Sequence, residues 1–246
     1  MDKETPLTIP KSKPIFTNLF LCTIGILFII EIVLTFSTHN FSKTLILLGA
    51  KWNTAINNGE YWRLLTYGFL HGNLIHLLLN MIALHVFGRE VEMIYGNVRF
   101  LIIFLFSIVA AGITSYNFSS GIAIGASGGL FGVLGALMYF FYKEKKEIVG
   151  AEMRFKSMYT LLIINIVFGF LIPNIDNSAH FGGLISGAIL AFILAPKYEI
   201  INPEGRCAPA GRIYSIQKYK KQTFEAIGLL LYIAFTFLLF YQTIVK

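Results

Sequence analysis

Residues 100–142 read FLIIFLFSIVAAGITSYNFSSGIAIGASGGLFGVLGALMYFFY. Two apolar runs, Phe100–Phe118 and Ile122–Tyr142, each match the roughly 17–25 residues that a transmembrane helix needs. Only a short polar break separates them, so the chain crosses a bilayer, turns and crosses back. The second run begins around Gly125-Ala126-Ser127-Gly128-Gly129, which sets a serine hydroxyl among small residues at one end of a membrane helix. Polar side chains are costly in lipid, so such a residue asks for an explanation.

Five more runs lie to either side. They are Ile15–Phe36, charged only at Glu31, and a short one from about Asn73 to Phe87. Ser157–Ile172 stops at Pro173, Ala179–Ala195 stops at Pro196, and the last runs from about Ala226 to Val245. The expected fold is therefore all-α, a polytopic membrane helix bundle with seven spans. The first run is too long for a signal peptide and no small-residue cleavage site follows it, so it is expected to remain as an anchor. Composition agrees. The chain is 56% hydrophobic and 13% charged, against about 25% charged in soluble domains, which excludes an ordinary soluble enzyme or a disordered chain.

The net charge of +7 has a membrane explanation. Sixteen of the twenty Lys and Arg residues fall in the N-terminal tail and alternate connections, and four on the other side. By the positive-inside rule the N-terminus is expected in the cytoplasm and, after seven spans, the C-terminus outside. No basic stretch with interleaved aromatics lies outside the apolar runs, so no nucleic-acid partner is expected. Cys22 and Cys207 form neither a disulfide framework nor a C-x-x-C motif. Residues 37–72 form a long external loop with Trp52, Tyr61, Trp62, Tyr67 and Phe69, suited to the membrane interface.

Polar residues concentrate at the starts of three spans that run in the same direction. The second carries His71, His76 and Asn80, the fourth Ser127, and the sixth Asp176 and His180. His76 and Asn80, four apart, share a helix face. Equal offsets from the outer end mean similar depth, so Ser127, His180, His76 and Asn80 are expected in one layer. Small residues at four-residue spacing let membrane helices touch backbone to backbone. Such spacing occurs at Gly125/Gly129 and Gly128/Gly132 in the fourth span and at Ala179, Gly183 and Gly187 in the sixth. That approach would bring Ser127 within reach of His180, about 2.6–3.2 Å, as an activated serine requires. His76, Asn80 and the Ser127 backbone N–H are candidate oxyanion donors. Phe131, one turn after Ser127, could pack on the His180 ring. Taken singly, each has an ordinary reading: a packing serine, a structural histidine, a metal or proton site from two histidines and an asparagine. Asp176 reads as a helix-start charge rather than the acid of a triad. Glu31 is expected either to reach the external edge or to pair within the bundle.

At these residues the sequence resembles the rhomboid family of intramembrane serine proteases. Glu60-Tyr61-Trp62-Arg63 is similar to the tryptophan–arginine signature of the first external loop. His71, His76 and Asn80 match the second-helix pattern, Gly125-Ala126-Ser127-Gly128 the Gly-x-Ser-Gly motif, and Ala179-His180 with Gly183 the sixth-helix motif. The resemblance implies a six-helix protease core over 16–196. A short cytoplasmic tail, 1–15, would leave no room for a further domain. A basic cytoplasmic linker, 197–222, and an added seventh helix, 223–246, would follow. It implies a Ser127–His180 dyad with no required aspartate and an oxyanion hole from His76, Asn80 and the backbone N–H of Ser127 and Ala126. Structural support would come from His71, Phe131, Trp62, Arg63, Gly125, Gly128 and Gly183. The implied partners are transmembrane protein substrates and the lipid bilayer, with no metal or organic cofactor, in the cell membrane of a bacterium. Phe131 departs from the tyrosine often found there. Two other readings stand beside it: a non-catalytic rhomboid-like protein that binds membrane clients, and a small permease using the histidines. A zinc protease lacks its H-E-x-x-H motif.

Overall fold

A computed structural model describes residues 13–146, 148, 150–173, 175–201, 215–219 and 222–244. Most of the N-terminal tail, and the linker residues 202–214 and 220–221, lie outside that set, as do Cys207 and the C-terminal lysine. Helix α1 spans Ile15–Thr38. Three short helices follow, α2 (Phe41–Leu48), α3 (Asn53–Asn57) and α4 (Arg63–Thr66), with a 3-10 turn at Tyr67–Phe69. α5 (Leu74–Ala83), a π turn (Leu84–Gly88) and α6 (Arg89–Tyr95) make one continuous span. Then come α7 (Asn97–Phe118), α8 (Ser127–Lys143), α9 (Ala151–Leu171), α10 (Asn177–Leu194) and α11 (Gln222–Ile244).

Six of these helices are long and apolar enough to cross a membrane. α8 is shorter, at 17 residues. α7, α8 and α10 are the buried centre, and α1, α5, α9 and α11 surround it. The outer helices expose Ile29, Phe36, Ile75, Leu79, Phe170 and Phe237 among many others. Faces of that size are incompatible with water and suit lipid. The protein is a multi-pass, all-α membrane bundle. The linker ends differ from a plain connector: β1 (Lys197–Ile201) and β2 (Ser215–Tyr219) pair antiparallel, with Lys197 opposite Tyr219.

Two expected spans are corrected. The second does not stop at Phe87 but continues to Tyr95, because the charges beyond it are held in the structure. Glu92 accepts the first N–H groups of α1, from Phe16 (2.8 Å) and Thr17 (2.9 Å), together with the Thr17 hydroxyl (2.7 Å). A carboxylate at a helix N-terminus satisfies otherwise orphaned donors. The fourth span begins at Ser127, not Ile122. Its first apolar residues are extended instead, and Ala123 exchanges two 3.0 Å backbone hydrogen bonds with Lys51. At 1.5 Å per residue α8 is about 25 Å long, short of a hydrocarbon core of about 30 Å. With its far end at one face, its first residue, Ser127, sits below the other.

The first loop is a packed unit, not a strap. Arg63 is 7% exposed, and its Nη1 donates to the carbonyls of Ile46 (2.7 Å) and Ala50 (3.0 Å), while Nε donates to Glu60 (2.8 Å). Tyr67 is buried and donates to the Ile108 carbonyl of α7 at 2.9 Å. Trp62 is 58% exposed, an orientation suited to the lipid interface.

The last helix is tied in by more polar contact than its composition suggests. The Tyr232 and Ser186 hydroxyls lie 2.5 Å apart, Arg99 pairs with Glu225 at 2.6 Å, and Phe240 meets Tyr61 edge-on at 5.2 Å.

Candidate active site

Ser127 is the first residue of α8, following Ala126 at the helix cap. The first N–H groups of a helix have no intrahelical partner, so the serine hydroxyl stands beside unspent backbone donors. Gly125 makes the turn into the helix at φ +114°, a conformation that glycine tolerates and side chains resist. Its N–H donates to the Tyr67 carbonyl at 3.0 Å, which fixes the turn to the first loop. A Cβ at Gly125 would lie 2.6 Å from the His76 ring and 3.7 Å from Asn80 Nδ2. The glycine thus makes room for both polar side chains beside the serine's loop.

α8 and α10 meet backbone to backbone. A Cβ on Gly183 would strike the Gly128 carbonyl, one on Gly187 the Gly132 carbonyl, and one on Gly135 the Leu184 carbonyl. Gly128 and Gly129 turn the other way, against Ala111, Phe104 and Ile108 of α7. Through this seam His180, one turn into α10, reaches the start of α8. Its Nε2 lies 3.0 Å from Ser127 Oγ. Phe131 stacks on the imidazole at 4.1 Å between centroids and 10° between planes. Stacking of that kind holds a ring in one rotamer.

Asp176 does not complete a triad. It caps α10, accepting the Ala179 N–H at 3.0 Å and hydroxyl hydrogen bonds from Ser178 and Ser115. His180 Nδ1 has no partner. Burial alone would raise the Asp176 carboxyl. The Ser115, Ser178 and Ala179 hydrogen bonds and the charge of Lys51 outweigh it and hold the group below its ordinary range.

On the other flank, Asn73 caps α5 by accepting the His76 N–H at 2.8 Å. The buried Asn80 Nδ2 is unpartnered, free to donate to an incoming group. His71 is fully buried, with its ring 5.0 Å from that of His76. Burial, and then the neighbouring His76, push His71 down to about 3, so its ring is neutral at ordinary pH. Its backbone N–H donates to both oxygens of Glu31, at 3.2 and 3.3 Å, so Glu31 pairs within the bundle. Among the described residues, no three His, Cys, Asp or Glu side chains are placed to share a metal ion.

A hydroxyl in contact with an imidazole, beside unspent N–H groups, an amide and a second imidazole, is an arrangement for acyl transfer. Lys51, buried against the end of α7, was not singled out by any sequence motif. A lysine in a loop of mixed composition carries no pattern of its own.

Comparison with known proteins gives the family. The family model described as the Rhomboid domain matches residues 58–197, more than half of the chain. The chain belongs to the rhomboid family. This rhomboid is 41% identical to Rhomboid protease GluP of Bacillus subtilis over 189 residues, 75% of the chain and 36% of that protein. It is 33% identical to RHOMBOID-like protein 5 of Arabidopsis thaliana over 195 residues, 75% of the chain and 60% of that protein. With RHOMBOID-like protein 6, mitochondrial, of the same plant it shares 37% over 161 residues, 62% of the chain and 50% of that protein. The matches thus span between about one third and three fifths of these relatives' own lengths. The family is one of serine proteases that work within membranes.

Proposed function

We propose that this rhomboid is an intramembrane serine endopeptidase that hydrolyses peptide bonds in or beside the transmembrane helices of other proteins. The observation that carries the reading is the 3.0 Å contact of Ser127 Oγ with His180 Nε2, its imidazole stacked on Phe131. His180 Nε2 takes the hydroxyl proton as Ser127 Oγ attacks the carbonyl carbon. The resulting oxyanion is met by the Ser127 and Ala126 backbone N–H groups, the Asn80 amide and the His76 ring. The His180 proton then passes to the leaving amine, and water releases the acyl group by the reverse sequence. His71, Trp62, Arg63, Gly125, Gly128 and Gly183 support this geometry, and no cofactor enters it.

In this reading residues 16–196 are the protease core, followed by the linker 197–222 and the helix 223–246, with residues 1–15 as the tail. The positive-charge bias supports a cytoplasmic N-terminus and an external C-terminus, and the membrane in this reading is that of a bacterial cell. The site then opens near the outer face, and substrates are single helices that present small residues at that depth.

The test is cleavage of a single-span substrate by purified protein in detergent, with Ser127→Ala and His180→Ala beside the wild type. Cleavage by the wild type and loss in both variants is expected. A folded wild type that binds such substrates and leaves them intact would instead favour a client-binding rhomboid.

A further inference from the structure

Lys51 is fully buried, with 0% exposure, between α2 and α3. A buried lysine is costly unless its donors are spent, and here they are. Nζ donates to the carbonyls of Ser119 (2.6 Å), Ser115 (3.1 Å) and Gly121 (3.2 Å). These lie at and just beyond the end of α7, where the helix dipole favours a cation. The Lys51 backbone also pairs in both directions with Ala123, four residues before Ser127. The strand that delivers Ser127 is therefore held at Gly121 by the ammonium, at Ala123 by the backbone, and at Gly125 by Tyr67.

A second path leaves the same ammonium. Ser115, whose carbonyl accepts from Lys51, donates its hydroxyl to the Asp176 carboxylate. Asp176 caps α10, and its carbonyl accepts the His180 N–H at 3.2 Å. Two chains of contacts thus start at one buried charge. One ends at Ser127 and the other at His180, and no contact joins the Lys51 side chain to either.

We propose that Lys51 is a positioning residue, its ammonium setting the relative placement of Ser127 and His180 through the end of α7 and the start of α10. This rests on the dyad reading above. The charged group facing it is Asp176, from the start of α10. Burial pulls the ammonium down to about 8, against a smaller upward pull from Asp176, so the tie weakens within reach of ordinary alkaline buffers.

The test compares Lys51→Met, similar in length without charge, and Lys51→Arg, which stays charged, with the wild type in detergent. Two readouts are taken: kcat and KM on a single-span substrate, and amide hydrogen exchange by segment. The expected result for Lys51→Met is a fall in kcat of about tenfold or more with KM within about twofold, as misplacement of reacting groups gives. Exchange should quicken in 119–127 and 176–180 and stay unchanged in α1 and α9. Lys51→Arg should recover most of the kcat. In the wild type, raising pH through about 8 should quicken exchange in the same two segments beyond the intrinsic rise, and Lys51→Arg should resist this. Unchanged kcat and exchange in Lys51→Met overturns the proposal, as does loosening spread evenly over the bundle. If Lys51→Met does not fold, the wild-type pH series decides, and a flat series overturns it. If the wild type cleaves nothing, the dyad reading falls, and exchange alone judges whether Lys51 holds both segments.

Discussion

Replacing Gly183 by alanine is the most direct way to separate Ser127 from His180 without touching either. A Cβ there would lie 2.9 Å from the carbonyl carbon of Gly128 and 3.2 Å from its Cα, with the carbonyl oxygen closer still. All three are backbone atoms of α8, so no rotamer change relieves the clash. Restoring ordinary contact requires the two helices to part by about 1 Å, since close-packed interiors have no slack to absorb the methyl. The Ser127–His180 contact, 3.0 Å in the structure, would then open to about 4 Å, beyond the reach of proton transfer. A displacement of about 1 Å costs on the order of a hundredfold in rate, and overpacking costs about 1–3 kcal/mol in stability. Initial rates on a single-span substrate, read beside thermal unfolding in the same detergent, measure both. Gly187→Ala clashes with Gly132 one turn further from the pair, so it should lower stability similarly and activity less. Gly25→Ala, with nothing within 4 Å of its Cβ, should change neither. A Gly183→Ala enzyme with kcat/KM within about threefold of wild type would refute the backbone-contact argument, because the predicted loss is about thirty times larger.

Other substitutions probe single contacts. Phe131→Ala removes the 4.1 Å stack on His180 and should lower kcat about tenfold, a stacked pair being worth about 0.5–1.5 kcal/mol; Phe131→Tyr keeps the ring and should keep most of the rate in the same assay. Arg63→Lys cannot reach the Ile46 and Ala50 carbonyls and Glu60 together, so thermal unfolding should show a loss of about 1–3 kcal/mol, with proteolysis appearing first in residues 39–73. Asp176 has a depressed folded-state value, so its stabilisation is present above its ordinary 3.8 and lost as pH falls through the folded value. Melting temperature should therefore drop below about pH 4 in the wild type. Asp176→Asn should melt lower at neutral pH and show a flatter acid limb.

The spans were legible because lipid demands long apolar runs, and the glycine spacing carried the α8–α10 contact because small residues alone permit it. The ends were less legible. Ile122, Ala123 and Ile124 look like helix on hydropathy, yet Ala123 is committed to a backbone pairing with Lys51, more than seventy residues away. Glu90 and Glu92 look like loop charges, yet Glu92 caps α1 and Glu90 pairs with Arg154. Such partners are distant in sequence and leave no periodic trace. The same holds within the site. Ser127 and His180 announced themselves by glycine neighbours, but Lys51 acts by reaching carbonyls, which every residue possesses. Tyr232 was hidden in the same way, since one hydroxyl in an apolar helix says nothing of the Ser186 it will meet.

The α8–α10 seam has a consequence for where the protein can work. Bilayers differ in thickness, and helices that face lipid adapt to the mismatch by tilting. Here that strain falls on α1, α5, α9 and α11, whose exposed apolar side chains suit lipid. α8 and α10 are joined through glycine backbones and by the Phe131–His180 stack, so they tilt as one body. A thicker or thinner membrane therefore changes the depth and slope at which the pair sits, and so, in the proposed protease reading, which stretch of a substrate reaches it. The spacing within the pair is left as it was.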